Sequence, residues 1–536
     1  MFRTYSVRIW VLVCFILLAR ILNPSPVLFT ALNQSSVDSA HTIPAGNHEP
    51  IRIDSDDDFA EQGWPGNGTE ANPYVIASLN ITSEIVPISI SDTRSHFVID
   101  SCTLVAIRGG NCSLHLRNVS HGKLIDCTIR NAKWGIWLRN GLNFRITGNH
   151  IRNCSYGIHM RAINSSLISL NEIVSCNQRI DVIECMSCTF RSNAVYGNMF
   201  CFWLSSGLTI KNNAIWNAGI AITDCDRTHI IGNSIFSENH GISIDSSPAC
   251  VVSDNAMAAF GISLTRPSSS AYSYQITNNT VGGKPIGYFH NISNTFVDCR
   301  EYGQIVAVGC NNTSFKYGFF QNVHTGILLF LCWNSVVRNI TAVSCVRYGI
   351  HLLASWRCTI EKNVVRNITK NPPFPGAGIK IQSGHECRLS CNRLYWNTHG
   401  IHAASVQESL FTYNAIYNNT RYGIYMYFSY NNHIFGNKIG WNGDENAFQV
   451  ASNCTWDNGD GLGNHWSDYN GTNSYPIEGY GAGVDRFPRK LSDGTPHMSE
   501  CVPRIGFSVI IIGVAAVVVI AIVGIELFIR NGYRVK

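Results

Sequence analysis

The stretch FRITGNHIRNCSYGIHMR, residues 144–161, decides the fold of this chain. It contains three short segments in which apolar and polar residues alternate, separated by the turns Gly148-Asn149 and Cys154-Ser155. A period of two residues is typical of β-strands, and the stretch shows no helical period. Because strands this short cannot bury an apolar face alone, equivalent strands of successive repeats must stack, about 4.8 Å apart.

The pattern recurs about every 22 residues along most of the chain. Gly-Ile pairs begin at positions 135, 157, 219, 241, 261, 326, 349, 378, 400 and 423. The two widest gaps are each close to three periods, and degenerate copies at 179–182 and 202–204 fill the first of them. About thirteen coils therefore lie between Gly135 and Gly423. A repeat of this length is typical of solenoid proteins.

One corner of the coil carries an asparagine in nearly every repeat. Twelve stand about eight residues before the following Gly-Ile position: Asn149, Asn171, Asn193, Asn213, Asn233, Asn255, Asn279, Asn339, Asn363, Asn392, Asn414 and Asn437. Asparagine side chains in such a column can hydrogen-bond from rung to rung. A leucine-rich repeat shares the period but needs a leucine ladder. The sequence therefore predicts an all-β fold, a right-handed parallel β-helix.

Composition excludes several classes of protein. Charged residues make up 14% of the 536 residues and apolar residues 45%, which is too apolar for a disordered chain. The net charge of +5 gives no broad basic face, so nucleic acid is not expected as a partner. Twenty cysteines are many for a reducing cytosol and favour an exported protein.

The two ends of the chain predict a single-pass topology. Residues 1–31 hold a short apolar run behind two arginines, which is typical of a signal peptide or signal-anchor. Residues 505–529 are apolar except for Glu526 and are long enough to span a bilayer. The basic residues in 530–536 favour a cytoplasmic tail.

These ends place the bulk of the chain outside the cell. We expect a cell-membrane protein with a large extracellular domain and a short cytoplasmic tail. The predicted domains are a signal peptide or signal-anchor (1–31), an N-terminal cap (32–100), β-helix repeats (101–450), a C-terminal cap with juxtamembrane segment (451–500), a transmembrane helix (505–529) and a tail (530–536).

The sequence contains sixteen Asn-x-Ser/Thr acceptor sites for N-glycosylation, roughly twice the number expected by chance. A repeat that needs asparagine before polar strands produces some of these sites incidentally. The candidate acceptors include Asn67, Asn80, Asn118, Asn153, Asn164, Asn291, Asn339, Asn367, Asn418 and Asn470.

Several segments resemble a known family. The repeats are similar to the parallel β-helix repeats of the copper-enzyme maturation factor NosD and its archaeal surface relatives. The segment 58–76, which ends in GNGTEANPYVI, resembles the N-terminal motif of those proteins; WDNG at 456–459 and GNHWSDY at 463–469 resemble their closing motif. The resemblance covers about residues 50–490 and implies the fold, an archaeal source and a link to copper-enzyme assembly. One departure is a missing Asp-Gly-Asp-Gly segment, where 473–476 read NSYP.

One column of the predicted helix collects side chains for acid–base chemistry. The outward residues that follow the Gly-Ile pairs of four consecutive coils are His351, Lys380, His402 and Tyr425. Such a stripe can neutralise a uronic-acid carboxylate and supply an acid and a base, as a polysaccharide lyase or C5-epimerase requires. The insertion 371–376 adds a loop that can form one side of a substrate-binding groove. A solvated outer face with polar residues placed at random is the alternative.

A second cluster of acidic residues, Asp224, Asp226 and Asp245, lies with Arg227 on neighbouring coils. Two carboxylates a few ångströms apart act as acid and base in inverting glycoside hydrolysis. The chain lacks the Asp pair with Gly-His-Gly of the β-helical polygalacturonases and the Asp-Pro-His-Asp of the mannuronan epimerases. Solvated carboxylates at turns are the alternative.

Two places are candidates for metal binding. Cys185 and Cys188 have the spacing of a two-ligand site, and the resemblance to NosD implies copper. Seven methionines are few for a soft copper(I) site, and a disulfide or buried thiols are the alternative. Calcium is the second candidate metal, at an acidic N-terminal run that a charged loop explains more simply: Asp54, Asp56, Asp57 and Asp58.

Three cysteine pairs occupy equivalent positions on adjacent coils. Neighbouring rungs place Cα atoms about 4.8 Å apart, within the disulfide range of about 4.4–6.8 Å. A ladder of buried free thiols is the alternative. The predicted disulfides are Cys154–Cys176, Cys358–Cys387 and Cys102–Cys127.

These observations favour a membrane-anchored extracellular protein whose rigid β-helix presents a surface to polysaccharide or to surface proteins. The alternatives are a carbohydrate-active enzyme (a lyase, epimerase or hydrolase) and, from the resemblance, a NosD-like accessory protein linked to copper. The sequence alone does not decide between these functions.

Overall fold

The structure is a computed structural model that describes residues 46–107, 110–176, 178–197, 199–265, 274–368, 375–481 and 483–491. Within these ranges no helix is both long and apolar enough to cross a membrane. The predicted signal segment, the apolar segment 505–529, the tail and most of the insertion 371–376 lie outside the described residues.

The described chain is an all-β, right-handed parallel β-solenoid of about 18 turns with about 22 residues per turn. Successive turns add strands to parallel sheets, three in the N-terminal half and three in the C-terminal half. An antiparallel pairing of Thr280–Val281 with Lys284–His290 joins the two halves. The predicted fold is therefore confirmed.

The first three sheets contain ten strands each. The first holds Ile51–Ile53, Ile88–Thr93, Cys112–Ser120, Trp134–Leu142, Tyr156–Asn164, Ile180–Ile183, Phe200–Trp203, Ile220–Thr223, Ile242–Asp245 and Ile262–Thr265. The second holds Tyr74–Ala77, Phe97–Asp100, Gly122–Ile125, Arg145–Thr147, Leu167–Ser169, Thr189–Arg191, Thr209–Lys211, His229–Ile231, Val251–Ser253 and Gln275–Thr277. The third holds Asn80–Ser83, Thr103–Ala106, Thr128–Arg130, His150–Arg152, Glu172–Val174, Ala194–Tyr196, Ala214–Trp216, Ser234–Phe236, Ala256–Met257 and Thr280–Val281.

The fourth to sixth sheets form the C-terminal half. The fourth holds Lys284–His290, Gln304–Val308, Thr325–Phe330, Tyr348–Leu353, Ala377–Gln382, His399–Ala404, Tyr422–Tyr427, Glu445–Val450 and Tyr475–Tyr480, the last paired with Gly483–Asp485. The fifth holds Phe296–Asp298, Ser314–Lys316, Val336–Arg338, Thr359–Glu361, Arg388–Ser390, Leu410–Thr412, Tyr430–Phe435 and Asn453–Thr455. The sixth holds Phe319–Gln321, Thr341–Val343, Val364–Arg366, Arg393–Tyr395, Ala415–Tyr417, Lys438–Gly440, His465–Trp466 and Arg489–Lys490.

The core is a set of isoleucine-rich columns inside the coil. Ile146 pairs with Ile168 and Ile151 with Ile173, an offset of one repeat. These side chains are almost completely buried, while their neighbours along each strand are more exposed. The alternating pattern of the sequence therefore becomes the inside and outside of the solenoid.

The predicted asparagine ladder is present at the corner between the second and third sheets. The amide of Asn149 donates to Oδ1 of Asn171 at 2.9 Å, and that of Asn171 donates to Oδ1 of Asn193 at 3.0 Å. The prediction is wrong for Asn339, which lies outside the column; the backbone amide of Ile340 instead donates to Asn363. A second ladder, which the sequence analysis missed, contains Asn397, Asn419 and Asn442.

Aromatic side chains close both ends of the core. At the N-terminal end, the short helix Asp58–Glu61 carries the fully buried Phe59, whose ring stacks on Tyr74 at 4.8 Å. At the other end Trp456 and Trp466 are fully buried, and the indole of Trp466 donates to Asp485 at 2.9 Å. Both segments cover strands whose edges would otherwise be unpaired.

The acidic N-terminal loop has a structural role. Asp56 accepts hydrogen bonds from the backbone amides of Arg94 and Ser95, and Asp54 accepts one from the hydroxyl of Ser91. Asp58 accepts the backbone amide of Asp54 at 2.6 Å. Asp54 and Asp56 therefore hold the loop onto the first turns and Asp58 bonds within the loop, which favours the simpler interpretation over a calcium site.

In the structure the described cysteines are free thiols, and nearly all are buried, including the six that form the three predicted disulfides. The Sγ atoms of Cys154 and Cys176 each donate to a carbonyl oxygen of their own strand, at 3.3 and 3.5 Å. The corresponding sulfurs of Cys102, Cys127, Cys358 and Cys387 also donate to backbone carbonyls. The structure therefore contains buried thiols on adjacent coils, and the three disulfides stay a prediction.

The candidate glycosylation sites are all accessible, at least in part. Asn67, Asn80, Asn118, Asn153, Asn291 and Asn470 are exposed, and Asn164, Asn339, Asn367 and Asn418 are half-buried. Glycosylation at these positions stays a prediction.

Candidate functional site

The fourth sheet brings the four predicted acid–base side chains into one column. His351 is in register with Lys380, Lys380 with His402, and His402 with Tyr425, on four consecutive strands. The flanking isoleucines of each strand point into the core, so these four side chains face outward. The predicted common column is therefore present, with its members on adjacent rungs.

Lys380 is unusual because its side chain lies on the outer face and yet is only 5% exposed. The imidazoles of His351 and His402 on the two neighbouring rungs enclose it. Among the described residues, no hydrogen bond or ion pair reaches its amine. Burial, together with the positive charge of Arg347, lowers the pKa of Lys380 to about 7.

Three imidazoles around this amine are kept neutral. Burial, followed by nearby positive charges that include Lys380, lowers the pKa of His402 to about 2 and that of His399 to about 4. The same causes hold the pKa of His351 well below its ordinary value. Each ring has one nitrogen that is buried without a hydrogen-bond partner: Nε2 of His351, Nδ1 of His399 and Nδ1 of His402.

Aromatic rings continue the site toward the C-terminal end of the sheet. Tyr422 stacks on His399 at 5.4 Å, on Tyr425 at 5.2 Å and on Phe448 at 5.0 Å. The guanidinium of Arg421 lies 5.1 Å above the Tyr422 ring. A half-buried shelf of rings thus adjoins the basic cluster.

The electrostatics of the site favour an anion. The charged groups that act on Lys380 and on the imidazoles are mainly cations, and the acid that influences His399, Asp444, is already paired with Arg421 at 2.8 Å. Desolvated cationic and imidazole groups of this kind are typical of functional sites. A carboxylate placed over Lys380 would supply the missing counter-charge.

The predicted acid–base column did not include His399 or Tyr422, which stand directly before the Gly-Ile pairs at 400 and 423. The predicted column contains only residues at the outward position that follows each Gly-Ile pair. The residue before the glycine also reaches the outer face, as the stacking of His399 on Tyr422 shows. A count of aromatic and histidine residues at that position would have found them.

The acidic cluster is not assembled into a catalytic pair. Asp226 forms an ion pair with Arg227 at 2.9 Å, Asp224 is exposed at a corner and Asp245 ends a strand of the first sheet. Within the described ranges, no group of three metal-ligand atoms within 4.8 Å includes any of the three. These positions support turn carboxylates and not a hydrolase centre.

Cys185 and Cys188 lie inside the solenoid. Both are fully buried, and their sulfurs donate to the carbonyls of Ile183 and Ile163 at 3.3 Å. In the part of the chain that the structure describes, no third ligand joins them in a metal-binding group. The pair therefore contributes to the core.

Three solved structures illustrate the proteins that this chain is similar to. They are the catalytic unit of a GH87 α-1,3-glucanase from Streptomyces thermodiastaticus (9% identity, 73% of this chain and 67% of that chain, TM-score 0.24), DFA-IIIase from Arthrobacter chlorophenolicus (11%, 68% and 83%, 0.28) and the mannuronan C-5 epimerase AlgE4 A-module from Azotobacter vinelandii (11%, 73% and 90%, 0.20). Likenesses this remote carry no argument about activity. No curated protein matches the chain.

A family model also matches the chain. The model of the family described as "Periplasmic copper-binding protein (NosD)" matches residues 95–287 and 253–471. Together the two matches span more than half of the chain and cover the solenoid that carries the column. The chain therefore belongs to the NosD family.

Proposed function

We propose that this protein binds acidic polysaccharide on the fourth sheet of its solenoid, with Lys380 holding a uronic-acid carboxylate. The observation that carries the proposal is a lysine side chain that is only 5% exposed and has no counter-ion among the described residues, in the middle of an outward column. A carboxylate that bonds this amine would replace the lost hydration with a charge-assisted hydrogen bond. Tyr422 and Tyr425 offer ring faces for the sugar next to that carboxylate.

The first experiment measures binding of oligogalacturonate and oligoguluronate to the full-length protein by calorimetry. Lys380→Met should weaken binding at least about tenfold, because a charge-assisted hydrogen bond contributes about 1.5–3 kcal/mol. Lys211→Met, at an exposed lysine of the second sheet, is the matched control and should bind like the wild type. Equal affinities for the wild type and Lys380→Met would refute the proposal.

Protonation provides a second readout of the same contact. A bound carboxylate raises the pKa of Lys380 from about 7, so the complex should take up a proton when it forms at about pH 8. The binding enthalpy should then depend on the ionisation enthalpy of the buffer. Affinity should rise as the pH falls from about 8 to about 6, because the free amine gains its charge. Binding without proton uptake would place the carboxylate elsewhere.

A second candidate function is a lyase, favoured by the pKa of Lys380 near 7. The unprotonated amine can take the C5 proton of a uronate; the C4–O bond then breaks, the C4=C5 double bond forms, and the phenol of Tyr425 can return a proton to the departing oxygen. Ultraviolet absorbance of the unsaturated product tests this directly. Binding without product would leave the protein as a binding module.

Copper, which the family description implies, does not fit the described residues well. Within these ranges, the one group of three possible ligands is His385, Glu386 and Glu408, and Glu386 is already paired with Arg357 at 2.8 Å. One borderline imidazole and two hard carboxylates differ from the thiolates and thioethers that copper(I) prefers. The described thiols are mostly buried. No step of the proposed function uses copper.

We also propose that the solenoid is displayed outside the cytoplasm and anchored by the apolar segment 505–529. The periplasmic description of the family supports export. The predicted signal segment and the basic residues after 529 support the orientation.

A further inference from the structure

A groove runs along the corner that follows the strands of the fourth sheet. Its volume is about 760 Å³, within the range of about 300–1,000 Å³ that small-ligand sites occupy. The corner residues of successive coils form single parallel bridges and so stack as a ladder: Asn311, Trp333, Trp356, His385 and Gln407. At about 4.8 Å per rung, these five residues span roughly 19 Å along the axis.

The groove is aromatic on one side. Trp356 is 46% exposed, and its ring meets Trp333 at 5.8 Å in a T-shaped contact. Exposed tryptophan in a cleft presents an apolar surface that the fold itself leaves uncovered, together with an indole N–H for a polar partner. A flat ligand with apolar faces and polar edges matches this wall.

The charges of the groove are paired with one another. Arg357 contacts both carboxylate oxygens of Glu386, at 2.8 and 3.3 Å. His385 contacts Glu386 at 3.1 Å and Glu408 at 3.4 Å. In contrast to Lys380, these groups already have counter-charges. The groove therefore favours an uncharged ligand with many hydroxyl groups, which can share these hydrogen-bonding groups and the amide of Gln407.

We propose that this corner groove is a second saccharide site, which binds an uncharged oligosaccharide lying along the solenoid axis, with one sugar ring on Trp356. The ladder of equivalent corners suits a polymer because it repeats similar contacts at a fixed spacing. The site is independent of the acidic-glycan site, because none of its wall residues belongs to the column of Lys380.

The test uses the full-length protein and neutral hexasaccharides, namely β-1,4-glucan, β-1,3-glucan, α-1,4-glucan and chitin fragments, with calorimetry as the readout. We expect one of these probes to bind, and Trp356→Ala to weaken it at least about tenfold. Trp396→Ala is the matched control, since Trp396 is 50% exposed and also has a T-shaped partner, Tyr395, but lies outside the groove. The control should bind like the wild type.

The outcomes separate this proposal from its rivals. Failure of all four probes to bind, or equal loss in both tryptophan variants, would overturn it. Binding that requires added Zn²⁺ and disappears in Glu408→Gln, with Trp356→Ala unaffected, would also overturn it and identify a cation site at His385. Lys380→Met should leave neutral binding unchanged, so failure of the acidic-glycan proposal would not affect this one.

Discussion

At the scale of single residues, Lys380 shows how position in a column changes chemistry. An exposed lysine keeps its charge at neutral pH, but the Lys380 side chain is in register with histidines on both adjacent rungs and is only 5% exposed. Burial of a charge without a partner disfavours the charged form. The Lys380 side chain therefore destabilises the folded protein but is available to pair with a ligand.

The first prediction concerns the pH dependence of stability. The folded-state pKa of Lys380 is about 7, below its unfolded value of 10.5, so the unfolded chain binds more protons between these values. The free energy of unfolding should therefore rise with pH in this window, by up to about 1.4 kcal/mol per pH unit. Urea unfolding at about pH 7 and pH 8.5 measures the slope. Lys380→Met should flatten the slope and raise stability at pH 7, whereas Lys211→Met should not.

A second prediction concerns the thiols. Cys391 is exposed while the other described cysteines are buried. Iodoacetamide should therefore modify Cys391 in the folded protein and label Cys154 and Cys176 only after denaturation, because the reagent does not reach buried thiols. Non-reducing peptide mass mapping identifies the alkylated cysteines before and after denaturation. Detection of a disulfide-linked Cys154–Cys176 peptide would show that the predicted disulfide forms.

At the scale of an element, the corner ladder fixes the spacing of the coils. Asn171 accepts from the backbone amide and the side chain of Asn149, and donates to Asn193 and to the carbonyl of Ile146. Every polar atom of this amide is used and buried, so each rung depends on its neighbours.

The third prediction follows from this ladder. Asn171→Ala leaves buried donors of Asn149 without an acceptor and should lower the free energy of unfolding by about 2–4 kcal/mol. Chemical denaturation measures the loss. The control is Asn72→Ala, at an exposed asparagine outside the ladder, which should change stability by less than about 0.5 kcal/mol. Similar losses in both variants would show that the ladder adds little.

At the scale of the whole molecule, the solenoid is a long scaffold that carries two different surfaces. The Lys380 column and the corner groove share the coils between Tyr348 and Ala404, one on the sheet and the other at the turn that follows it. Function on such a fold lies in columns that cross many repeats, since each coil contributes one side chain to each column.

The fourth prediction concerns the orientation of the whole chain. The apolar segment 505–529 followed by Arg530, Arg534 and Lys536 predicts an outer solenoid and an inner tail. Protease added to intact cells should digest the solenoid and spare an epitope fused to the C-terminus. Lysed cells provide the control, in which the epitope should also be lost. Loss of the tail from intact cells while the solenoid survives would show that the chain has the opposite orientation.

The sequence by itself determined the fold, because a constant repeat length sets which residues stand on adjacent rungs. The spacing of Gly-Ile pairs was enough to align His351, Lys380, His402 and Tyr425. Only the tertiary structure decided that Lys380 is buried, that the thiols of Cys154 and Cys176 point to carbonyls, and that a groove opens beside Trp356. The physical reason is that burial, side-chain direction and groove shape depend on neighbours from several coils and on turn conformation, whereas the repeat pattern reports only which positions face inward or outward.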